Sequence, residues 1–96
     1  MADISLRRPH GSSLDEAKSK IGGIVTDVQN EFPSLVNSID WNEDKTNAKV
    51  KGKGFSGEFQ VNDTDVAIDI DLSLFARPFR GKLEEKIASR MEKYFG

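Results

Sequence analysis

The sequence predicts an α+β fold, a single antiparallel sheet with two helices on one face in the order β-α-β-β-β-β-α. Three observations predict it. Asp65 to Leu74 alternates apolar and polar residues, the pattern of a half-buried strand. Two other stretches, 14–32 and 79–95, repeat apolar residues every three or four positions, as helices buried on one side do. The runs between them are short and separated by Asn, Asp and Gly clusters, which are turn residues.

Taken in order, Asp3-Ile4-Ser5-Leu6-Arg7-Arg8 alternates and is halted by Pro9, giving a first strand at or near a sheet edge with Ile4 and Leu6 inward. Ser13-Leu14-Asp15-Glu16 matches a capping box, in which the serine oxygen takes the Glu16 amide and the glutamate returns to the Ser13 amide. The helix that starts there carries Leu14, Ala17, Ile21, Ile24, Val28 and Phe32 on one face and stops at Pro33. Gly22 and Gly23 in its middle cost roughly 2 kcal/mol relative to alanine, so either close approach of the C-terminal helix or a kink must offset them.

After a loop, Ser38 to Asn42 reads as the second strand, with 42–47 as a hairpin turn. Ala48 to Gly54 follows with lysines at alternate positions, and the glycines around Phe55 and Ser56 imply a second tight turn or a bulge before Glu58-Phe59-Gln60-Val61. Asn62-Asp63-Thr64 turns the chain into the longest alternating strand. There Val66, Ile68, Ile70, Leu72 and Leu74 form one apolar stripe, whose burial is worth at most on the order of 10 kcal/mol before entropy is subtracted. The last helix starts near Pro78 and places Phe79, Leu83, Ile87, Met91 and Phe95 at intervals of four.

Ninety-six residues, 36% hydrophobic and 31% charged, make one folded domain over 1–96. Acids exceed bases by two, and no apolar run approaches the roughly 20 residues of a membrane span. The absence of cysteine removes disulfides, thiolate catalysis and thiolate metal sites. The start of the chain lacks the basic region and apolar core of a signal peptide, so the expected location is the cytoplasm.

Several features could carry chemistry, and each has a simpler reading. Asp69 and Asp71, with Asp63 and Asp65 nearby, resemble paired metal ligands, yet alternation makes them the wet side of a strand and a hard divalent cation needs more oxygens. His10 beside Ser12 and Ser13 evokes a nucleophile and base, but Ser13 is a cap and no acid or oxyanion hole is identifiable, so His10 reads as a loop residue. Lys45, Lys49, Lys51 and Lys53 with Phe55 and Phe59 could stack single-stranded nucleic acid. Lysines on an exposed strand also block edge pairing, and the acidic balance favours that reading. No catalytic, metal or cofactor-binding residues are therefore expected, nor nucleic acid or a bilayer as partner.

The aromatic residues should mostly be core. Trp41, Phe55, Phe75 and Phe79 are the candidates for an apolar surface or ligand contact, because Phe75 falls off the inward phase of its strand and sits near the start of the last helix. Such a patch fits a homodimer interface, a hydrophobic ligand or an apolar surface.

Ile4-Ser5-Leu6-Arg7-Arg8-Pro9-His10, Gly57-Glu58-Phe59-Gln60-Val61 and Pro78-Phe79-Arg80-Gly81-Lys82-Leu83-Glu84, in that order, resemble the polyhydroxyalkanoic acid system family, also called the polyhydroxyalkanoate granule-region family. The resemblance spans nearly the whole chain and implies a bacterial cytoplasmic protein linked to polyhydroxyalkanoate storage granules or granule proteins, with no enzymatic activity and no site residues to carry over. The element order is also similar to a shortened helix-grip fold, whose sheet and C-terminal helix can enclose an apolar cavity. Two functions follow as expectations: a non-enzymatic, granule-associated accessory protein, or a carrier of a small hydrophobic acyl or hydroxyacyl ligand held between sheet and C-terminal helix.

Overall fold

A computed structural model describes residues 3–33 and 36–95. Met1, Ala2 and part of the expected loop after Pro33, Ser34 and Leu35, lie outside the described residues. The elements are β1 (Ile4–Pro9), α1 (Leu14–Glu31), β2 (Val36–Trp41), β3 (Asn47–Gly52), β4 (Phe55–Val61), β5 (Asp65–Leu72), a single 3-10 turn (Arg77–Phe79) and α2 (Arg80–Phe95). The strands form one open antiparallel sheet in the order β1-β5-β4-β3-β2. This is the α+β arrangement that the periodicities predict. The likeness to a helix-grip fold remains one of element order.

Register fixes which residues share a face. Trp41, Ala48, Phe59, Ile68 and Leu6 lie opposite one another across all five strands, as do Ile39, Val50, Gly57, Ile70 and Ile4. Both rows face the helices, because Ala48, Val50, Phe59, Ile68, Ile70 and Ile4 are buried in one cluster with Ala17, Ile21, Ile24 and Val28 of α1 and Ile87 and Met91 of α2. The alternate rows are polar. Asp69, Glu58, Lys49 and Asp40 stand side by side on the opposite face, where Ser5 Oγ donates to Asp69 (2.7 Å) and Asn47 Nδ2 to Glu58 (2.6 Å).

Local chemistry sets the ends of the elements. The Glu16 amide donates to Ser13 Oγ (3.2 Å), the first half of the capping box; the return bond to Glu16 is not formed among the described residues. Asn42 Oδ1 accepts the Thr46 and Asn47 amides and closes the β2–β3 turn, while Asn62 Oδ1 accepts those of Thr64 and Asp65 before β5. His10 is a loop residue, as expected, but a buried one at 5% exposure. Its Nδ1 accepts the Ser12 amide (3.1 Å), which leaves the proton on Nε2 to be donated to the Asn62 carbonyl (2.7 Å). Nε2 thus ties the end of β1 to the β4–β5 turn, while Nδ1 braces the loop that leads into α1.

One expectation needs correction. Leu74 does not continue the inward stripe of β5; it is 81% exposed. The strand stops at Leu72, whose amide donates to the Asp3 carboxylate (2.7 Å). Beyond it the Ser73 carbonyl accepts the amides of Ala76 and Arg77 (3.0 and 3.1 Å), so the chain coils and the alternation is lost.

The glycine pair in α1 divides into two roles. A β-carbon on Gly23 would lie 2.9 Å from the ring of Tyr94 in α2, whereas one on Gly22 would meet nothing within 4 Å. Close approach of the C-terminal helix therefore accounts for Gly23 and not for Gly22.

Candidate functional site

The two helices run antiparallel across the sheet. Gly23, Asp27 and Glu31 of α1 face Tyr94, Arg90 and Lys86 of α2 in that order. At the Gly23 end they touch, and the Tyr94 hydroxyl donates to Asp27 (3.0 Å); further along, towards the end of α1, Arg90 Nη2 donates to Glu31 (2.8 Å). The hydrogen bond to Asp27, reinforced by burial and by the Asp27 charge and opposed by Arg90, holds the Tyr94 phenol above its ordinary pKa.

At the opposite end the layers part around an apolar cavity of about 400 Å³. This lies within the roughly 300–1,000 Å³ of ordinary small-molecule sites. Its floor is the sheet, with Phe55, Gly57 and Phe59 from β4 and Ile70 and Leu72 from β5. Val28 and Phe32 form the α1 wall, and Ala76, Phe79, Leu83 and Ile87 the wall on the side of α2. Gly57 helps to open the space, because the inward row Val50-Gly57-Ile70 has no side chain on β4.

The charged residues around this cavity are Lys53, Lys82 and Lys86, all of them exposed and therefore at its mouth. Lys86 Nζ lies 3.9 Å from Glu31 and 5.6 Å from the Phe32 ring centroid. Lys53 and Lys82 form no ion pair among the described residues. The first turn of α2 contains no acid, although acids are the residues that a helix N-terminus favours.

Beside the mouth the connection between β5 and α2 presents Leu74, Phe75 and Phe79 to solvent at 81%, 71% and 65% exposure. Phe75 is nonetheless held: a β-carbon on Gly54, which turns the β3–β4 hairpin at φ +88°, would sit 3.0 Å from its ring. Phe79 belongs both to this patch and to the cavity wall.

The structure thus gathers Phe55 and Phe79 in the cavity and places Phe75 at its side. Trp41 stands apart, half-buried on edge strand β2 with Lys45 over its ring at 6.0 Å. Lys49 lies opposite Asp40 and Glu58, so that part of the basic strip is interleaved with acids. Among the described residues no three His, Cys, Asp or Glu side chains gather as a metal site.

A family model described as "Putative polyhydroxyalkanoic acid system protein" matches residues 4–95. The chain belongs to this family. Searches of curated proteins and of solved structures each returned no match. Family membership covers every element of the fold, from β1 to the last turn of α2. No described helix is long and apolar enough to cross a membrane.

Sequence reasoning missed the lysine rim, since Lys82 and Lys86 read as ordinary residues on the wet side of an amphipathic helix. The available signal was Arg80 and Lys82 in a first turn without an acid, the reverse of the usual arrangement.

Proposed function

We propose that this member of the family is a non-enzymatic accessory protein that meets polyhydroxyalkanoate granules, or proteins on them, through Leu74, Phe75 and Phe79. The observation that carries the reading is this apolar triad, exposed in a stretch of six residues and continuous with an apolar cavity wall at Phe79. Exposed apolar side chains gathered in one place mark contact surfaces more often than singly scattered ones do. The granule as partner comes from the family. His10 supports the non-enzymatic part, because both its ring nitrogens are already engaged, Nδ1 by the Ser12 amide and Nε2 by the Asn62 carbonyl.

Co-sedimentation with isolated granules tests this. The parent protein is expected in the granule fraction, and the double variant Phe75→Ser/Phe79→Ser in the supernatant with its fold intact by circular dichroism. A parent protein that stays in the supernatant overturns direct association.

The cavity favours a second reading, a carrier for a small acyl or hydroxyacyl ligand between sheet and C-terminal helix. Its size and apolar lining suit an aliphatic chain. The two readings are compatible, because the patch adjoins the cavity mouth.

A further inference from the structure

We infer that the cavity takes an aliphatic carboxylate, chain inward and carboxylate outward, with Lys53, Lys82 and Lys86 setting the preference for the anion. The inference rests on the carrier reading of the cavity and is independent of granule contact. The interior offers apolar side chains and the bare backbone of Gly57, which suit a chain without polar groups along its length. At about 30 Å³ for each water-sized or methylene-sized group, roughly ten carbons fit with imperfect packing.

Charge decides the headgroup. Among the described residues the charged lining is entirely cationic, and the three lysines come from two parts of the fold, Lys53 from the β3–β4 turn and the other two from successive turns of α2. Glu31 engages Lys86 only at 3.9 Å and is bound more closely by Arg90 at 2.8 Å, so it does not neutralise the rim. Placing Arg80 and Lys82 in the first turn of α2 works against the helix dipole, and an anion at the mouth would reverse that penalty. Lysines act as mobile point charges without the planar fork of arginine, which suits one carboxylate at an open mouth.

Titration of the methyl NMR signals of Ile70, Leu72, Leu83 and Ile87 with decanoate and with decanol tests this in the intact protein. Decanoate is expected to bind about tenfold more tightly than decanol at low salt, the combined effect of three exposed lysines. That preference should shrink as salt rises and vanish in the triple variant Lys53→Gln/Lys82→Gln/Lys86→Gln, while decanol binds it as it binds the parent. Equal binding of acid and alcohol by the parent would overturn the assignment of the lysines and leave the cavity a ligand site. If neither moves the methyl signals, the carrier reading itself fails and this inference with it.

Discussion

The two ends of the α1–α2 pair are built on opposite principles. At one end a glycine lets Tyr94 approach the backbone of α1, and Asp27 accepts from the Tyr94 hydroxyl and pairs with Arg90. At the other, bulky side chains on both helices hold the layers apart over Gly57, and the space between is left apolar. Close contact at one end supplies stability, so the other need not be filled. A small core can therefore carry a cavity where a uniformly packed one could not.

Substitutions at the two ends should separate these roles. The largest contrast is expected between Ile21→Ala and Leu83→Ala. Ile21 is fully buried beside Gly23, and its truncation should cost about 2–5 kcal/mol in urea unfolding. Leu83 is half-exposed against an existing cavity and should cost roughly 1 kcal/mol, because few packing contacts are lost. Equal losses would show that the open end is packed in solution.

Next in size is Gly23→Leu, which forces Tyr94 away and should destabilise by about 1–3 kcal/mol. Gly22→Ala, one position earlier, meets open space and should gain up to about 1 kcal/mol. If both substitutions shift the unfolding midpoint the same way, the close approach at Gly23 is not what holds the helices.

The smallest effect concerns pH. Tyr94 is the only tyrosine, so its absorbance titration reads one group. Its midpoint should lie above the ordinary 10.0 in the parent and fall in Asp27→Asn, which removes the carboxylate that holds the proton. Because the folded state binds that proton more tightly, the associated stability is present below the ordinary value and is lost as pH rises through the raised one. An unchanged midpoint in Asp27→Asn would remove this hydrogen bond from the account of the tight end.

The fold was largely legible because its signals are local. Alternation from Asp65, the Ser13–Glu16 cap and the three-and-four spacing in α1 each act within a few residues, and the structure contains the corresponding elements. The end of β5 was not legible, since it depends on Asp3, which returns from the other end of the chain to take the Leu72 amide. The glycine pair was legible only as a puzzle: which residue is needed depends on the register of a helix some seventy positions later. At the site, the aromatic residues Phe55 and Phe79 stood out by type. The cavity joining them arises from how two layers diverge, and no pattern along one segment encodes that.

The placement of β1 has a consequence for how the protein assembles. β2 to β5 form a meander in which each strand pairs with its successor, whereas β1 must find β5 after the intervening chain is made. Such non-local pairing is slow, and closing a long loop precedes the contacts that reward it. The meander is thus the natural nucleus, and β1 the last strand to dock, fastened by His10 to the Asn62 carbonyl. Substitution of Ile4 would then act chiefly by speeding unfolding, and substitution of Gly54 in the β3–β4 turn by slowing folding.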